Sequence, residues 1–229
     1  MYNELLFAAH IIVASASVLW ALRYSYGALI AVLSLQLILA NLFVTKQIMV
    51  FGIETTCSEV FVVSGMYGIS LIRSYYGDAA ARKAIWITFG FLLLFVFFVQ
   101  LHCAYSGLDP ILSVSIAQMC SATFRLFFAS LAAYLVSERA HLALTRLWGT
   151  RHASPIGQIV AIAGGQVVDT VTFASLGLYG LVADLSSVIL FCLIIKAIIL
   201  VMLSPILALT YRYAVCRHER QPNTLKVHA

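Results

Sequence analysis

The chain has 229 residues, of which 62% are apolar and only 10% charged, and its mean hydropathy is +0.99. Soluble domains carry about a quarter charged residues, and a small globule is mostly surface, so this much apolar material has no place to hide in water. A water-soluble enzyme, a nucleic-acid-binding domain and a disordered tail are excluded, and a transmembrane β-barrel would show alternating strands that are absent here. The composition predicts an all-α integral membrane protein, a compact bundle of about six to seven transmembrane helices.

A helix crosses the hydrocarbon core with about 20 mostly apolar residues. In chain order the candidate spans are 5–22, 28–45, 57–72, 84–103, 116–136, 159–182 and 186–211. The third is short and interrupted by Gly65 and Gly68, and the seventh is long, with Pro205 removing a backbone donor near its end. A polar stretch, 137–155, reads as a loop of helical character closing on a Ser-Pro turn. Residues 212–229 form a polar tail, the N-terminus lacks a basic leader region, and the whole chain reads as one transmembrane domain.

Basic residues orient these spans. Arg23, then Arg73, Arg82 and Lys83, then Arg139, Arg146 and Arg151, then Arg212, Arg217, Arg220 and Lys226 all fall on one side if seven spans exist. The opposite loops hold Lys46, Glu54, Asp109 and Asp184. The positive-inside rule then puts the N-terminus outside and the C-terminus inside, and it turns the net charge of +5 into a topology signal.

Few charges remain within the spans, and each costs roughly 2.5–3.5 kcal/mol near a helix centre on insertion scales. Arg125 and Lys196 belong in the bundle interior, and Asp169 is the natural counter-charge for either. For Arg125 a helix-locking ion pair and a substrate role weigh equally. Gln166, Asp169, Thr170 and Phe173 share one helical face by their i, i+3, i+4, i+7 spacing. An amide, a carboxylate, a hydroxyl and an aromatic ring in one stripe suit a planar polar ligand. Gly164 and Gly165 point to close helix packing, as do Ser64, Gly65, Gly68 and Ser70. Gln36 reads as interhelical glue, and the stretch Glu54, Thr55, Thr56, Glu59 as an outer vestibule. His10, His102, His141 and His152 show no metal-ligand spacing, and the five cysteines show no paired motif. No P-loop, GxSxG or paired-carboxylate motif is present. The sequence predicts no enzyme, no metal and no cofactor.

These residues resemble a known family over roughly 33–205. Gly165-Gln166-Val167-Val168-Asp169-Thr170 with Phe173 is similar to the Gly–Gln/Asn–x–x–Asp–Thr segment of the queuosine-precursor transporter family, also called vitamin uptake transporters. Tyr76-Gly77 and Ala81-Arg82-Lys83 resemble its cytoplasmic loop, Arg125 with Ala129-Ser130 and Tyr134 its buried-arginine span, Lys196 and Pro205 its last span, and Asn41 an early asparagine. Ser70 and Ser74 stand where relatives tend to carry acids, and Glu138 and His141 where they carry Gln–x–x–Asp. The resemblance implies a family-like core of about 33–211 preceded by an added helix, 5–22, with a fold similar to the substrate-binding subunits of energy-coupling-factor transporters. It further implies an importer in the bacterial inner membrane for a 7-deazaguanine base, either a cyano or aminomethyl precursor or queuine, salvaged into tRNA. The partners are then that small molecule and the lipid bilayer, with no direct nucleic-acid contact. Asp169 and Gln166 would read the base edge, Phe173 or Tyr134 would stack on the ring, and Arg125, Lys196, Thr170 and Asn41 would complete the site. Another vitamin-like heterocycle, or a structural role in a membrane complex, stays open.

Overall fold

The computed structural model describes residues 2–44, 46–56, 58–106, 108, 114, 124–147, 155–180 and 184–220. Among these are seven helices and one β-hairpin. The helices are α1 (Tyr2–Tyr24), α2 (Tyr26–Phe43), α3 (Ser58–Tyr76), α4 (Asp78–Cys103), α5 (Phe124–Leu147), α6 (Pro155–Phe173, continued by a π-helical turn, Ala174–Leu178) and α7 (Leu185–Arg220). The chain is a helical membrane protein: α1, α2, α4, 156–178 of α6 and 185–205 of α7 are each long and apolar enough to cross a bilayer.

The third and fifth expected spans differ from the rest for a physical reason. Helix α3 is the best buried of the bundle and packs on α1, α2, α4, α6 and α7. Its neighbours are protein and not lipid, so it carries Ser64, Ser70, Arg73 and Glu59 and loses hydropathy in proportion. Gly68 lets it approach α2, since a Cβ there would collide with Leu33. Helix α5 runs on to Leu147, so the polar stretch expected as a loop from residue 137 is helical for another eleven residues and faces inward. Ser137, Glu138, His141, Leu142 and Thr145 are all buried, one face of a 3.6-residue period. A Cβ on Gly165 of α6 would sit 2.9 Å from the His141 Cβ and 3.0 Å from Met66 Sδ, so this glycine admits both neighbours.

Helix α1 is packed into the bundle along Phe7, Ile11, Ala14, Val18 and Ala21, spaced three to four apart. Gln36 of α2 donates from Nε2 to Ala14 O (2.9 Å) and Ser17 Oγ (3.0 Å), the interhelical tie its sequence position suggested. Helix α7 spans 36 residues, about 54 Å at 1.5 Å per residue, and continues through Pro205. Its N-terminus is capped by Asp184, which accepts from the backbone N–H of Ser186 and Ser187.

The connections distinguish two ends of the bundle. At one, the antiparallel strands β1 (Gln47–Val50) and β2 (Ile53–Thr56) turn through Phe51 and Gly52, both at positive φ (53° and 73°), as a two-residue primed turn demands. Asn3 Nδ2 donates to Met49 O, holding the start of α1 against this hairpin. At the other end Asp78, at the start of α4, accepts from Arg73 Nε of α3 at 2.7 Å and meets Arg146 Nε of α5 at 3.3 Å. Tyr26 OH donates to Ala80 O there, and Arg139 lies over the Trp86 ring. Arg73, Arg139 and Arg146 thus collect at the end opposite the hairpin, while Lys46 lies beside the hairpin itself.

Candidate functional site

A cavity of about 490 Å³ opens at the hairpin end, where α2 and α6 finish and α3 and α7 begin. This volume lies within the 300–1,000 Å³ range of small-molecule sites. Asn41 of α2, Thr55 of β2, Glu59 of α3 and Tyr134 of α5 line it together with Asp169, Thr170 and Phe173 of α6 and Lys196 of α7. Two separate sequence signals therefore meet in space: the polar stripe of α6 and the lone lysine of α7.

Lys196 is 4% exposed, and its ammonium is fully engaged. Nζ donates to Asp169 Oδ2 at 2.7 Å and to Thr170 Oγ1 at 2.9 Å, and it lies 3.2 Å from Glu59 Oε2. An ammonium has three donors, and three acceptors from two other helices surround this one. The ion pair removes most of the cost of placing a charge at membrane depth, and it leaves the cluster with two carboxylates against one cation. Asp169 keeps acceptor capacity: Oδ1 meets Ser137 Oγ at 3.5 Å, the outer limit of a hydrogen bond.

Six of the eight residues singled out from sequence line this cavity. Asn41 holds its own helix, Nδ2 to Leu37 O at 2.9 Å, and Tyr134 is hydrogen-bonded through its hydroxyl to Thr88 of α4. Gln166 does not line it. Its side chain is buried toward α3, with Nε2 3.1 Å from Met66 Sδ and Oε1 without a hydrogen-bond partner among the described residues. Arg125 belongs to α5, but its side chain lies outside the described residues, and so do residues 116–123 of the fifth expected span. Glu59, read from sequence as part of an outer vestibule, lines the cavity and is also bound into the cluster. Its proximity to Lys196 is a tertiary fact, carried by the packing of α3 on α7, with no trace in local spacing. Thr55 lines the cavity, and its buried Oγ1 has no hydrogen-bond partner among the described residues.

Among the described residues no group of three or more His, Cys, Asp or Glu could hold a metal ion. What the cavity offers is the aromatic side chains of Phe173, Tyr134 and Phe191, one partly free carboxylate and several neutral hydrogen-bonding groups in an apolar wall. Fold and site together define a polytopic helical membrane protein with a largely apolar cavity inside the bundle that carries a polar cluster.

Comparison with known proteins fits that class. Residues 58–210, well over half of the chain, match the family described as "Putative vitamin uptake transporter", and the chain belongs to this family. It is also 36% identical over 61 residues to the "Probable queuosine precursor transporter" of Bacillus subtilis (strain 168); the match covers 27% of this chain and spans only 27% of that relative's length. No solved structure matches the chain.

Proposed function

We propose that the protein imports a 7-deazaguanine base across the bacterial inner membrane and that the hairpin-end cavity is its outward-facing binding site. The observation that carries this reading is Asp169, fixed by Lys196 at the polar end of an otherwise largely apolar cavity beside Phe173. A guanine-like edge presents a ring N–H and an exocyclic amine side by side, and a carboxylate accepts both, as proteins bind extruded bases by their pairing edge. Phe173 supplies a stacking face. Asn41 and Thr55 lie in the same wall and suit the ring carbonyl and substituent. Lys196 holds Asp169 in place, so little ordering cost falls on binding. Gln166 supports the α3–α6 contact from behind.

The basic end opposite the cavity, taken as cytoplasmic, makes the hairpin end the external one, with the N-terminus outside and the C-terminus inside. A substrate entering from outside would reach the polar cluster through this cavity. The name of the partial Bacillus relative supports the substrate class, and the family description supports a second reading, uptake of another vitamin-like heterocycle by the same cavity. The test is restoration of queuosine in tRNA of a strain lacking its own synthesis and uptake, supplied with each 7-deazaguanine in turn. Restoration by at least one base is expected, with loss in Asp169→Asn. Failure with all of them discards this substrate class.

A further inference from the structure

Behind the binding cavity lies a second set of buried polar groups that ligand recognition does not use. Glu138 and His141 of α5 are 1% and 0% exposed, and His141 Nδ1 lies 3.3 Å from Glu138 Oε2. On the other side of the ring, His141 Nε2 is 3.4 Å from Ser70 Oγ of α3, which donates to Gln158 Oε1 of α6 at 2.5 Å. Three helices thus converge on one imidazole. Between this set and the ligand cavity is a void of about 30 Å³ lined by Tyr134, Ser137, Glu138 and Asp169 among apolar side chains. It is large enough for one water and has the two to four polar partners a buried water needs.

We infer that the Glu138–His141 pair is a proton-carrying site, loaded from the ligand cavity through Asp169 and the small void, which couples substrate entry to proton entry. The inference rests on the importer reading above. A buried carboxylate beside a neutral imidazole carries one uncompensated negative charge, whereas one added proton makes the pair neutral overall. In the proposed cycle the pair gains one proton from the external water by way of Asp169 and a water admitted to the small void, held as N–H on His141. It returns that proton to the cytoplasmic water after the bundle opens inward. One proton enters per cycle and no other group changes its count.

The charged and titratable surroundings permit this. From α6 the pair faces Gln158 and, across Ser137, Asp169, itself bound to Lys196 of α7 with Glu59 of α3 behind it. From α3 it faces Ser70, and Arg73 one turn further is already committed to Asp78 of α4. On α5 itself Tyr134 is tied to Thr88 of α4, and Arg146 to Asp78. No described cation is paired with Glu138 in a way that would hold it permanently neutralised.

Purified full-length protein in proteoliposomes separates the possibilities. Wild-type protein should show both 7-deazaguanine counterflow, which needs no driving force, and at least tenfold accumulation under an inward proton gradient. Glu138→Gln and His141→Gln should keep counterflow within about twofold of wild type and lose accumulation. Accumulation retained in Glu138→Gln, or wild-type counterflow with no gradient-driven accumulation, overturns the inference. Absence of counterflow with every 7-deazaguanine defeats the substrate reading instead. The proton site is then judged on the wild type alone, by the ring 15N shifts of His141 as pH is varied. Titration of His141 upholds it, and a ring that holds one protonation state from pH 5 to 9 overturns it.

Discussion

Lys196 shows how a single side chain organises the interior of the bundle. Its three N–H donors meet Asp169, Thr170 and Glu59, so α3, α6 and α7 are tied at one atom. Replacing it with Met leaves two buried carboxylates facing each other, and breaking a buried pair in this way costs about 3–5 kcal/mol. Lys196→Met is therefore expected to lower the thermal unfolding temperature in detergent as well as abolish binding. Asp169→Asn keeps the shape and the contact to Lys196 but removes charge. We expect it to remain folded while losing about tenfold or more in affinity for a guanine-like base, read by isothermal titration, since a bidentate contact to a base edge is worth about 1–3 kcal/mol. A folded Asp169→Asn with unchanged affinity would remove the carboxylate from the site.

At the scale of elements, the legibility of the sequence followed the environment of each helix. Where a helix meets lipid, as α4 and the first part of α7 do with Phe97, Phe98, Leu190 and Val201 exposed, hydropathy alone marks it. Where a helix is enclosed by others, the rule inverts. Helix α3 and the second half of α5 carry polar side chains because their neighbours are protein groups, and residues 137–147 read as a loop for that reason. Ser137, Glu138, His141 and Thr145 follow helical spacing, but only what packs against them distinguishes a buried polar face from a solvated one. The hairpin was signalled by little more than Phe51-Gly52. Helix contacts made through glycine allow a direct check. Gly68→Leu should drive α3 away from Leu33 of α2 and destabilise the protein in thermal unfolding by about 1–3 kcal/mol or more, as overpacking does. Gly90, with open space around it, should tolerate alanine with little change.

On the scale of the whole molecule, the segregation of basic residues, the place of the cavity and the direction of transport are one linked claim. Arg73, Arg139 and Arg146 lie at the end opposite the hairpin, and the cavity opens between the hairpin and the starts of α3 and α7. In a cysteine-free background, a single cysteine at Gly52 should react with a membrane-impermeant thiol reagent added outside intact spheroplasts, and one at Arg82 should react only after permeabilisation. The reverse pattern would invert the bundle and make the cavity an exit. The polar stripe of α6 and its lysine partner were readable from the chain, because charge at membrane depth is costly enough to stand out. The participation of Glu59 and Thr55, and the withdrawal of Gln166 toward Met66, depend on how helices rotate against one another.

The central claim is that this cavity binds a 7-deazaguanine base through Asp169 and delivers it inward. The most direct measurement is time-resolved uptake of a radiolabelled 7-deazaguanine by cells lacking their own transporter and expressing either this protein or its Asp169→Asn variant at matched membrane levels. Saturable uptake with the wild type, competed by unlabelled base, and a drop of about tenfold or more with the variant are expected. Equal uptake by the two, or none by the wild type for any 7-deazaguanine, would contradict the claim.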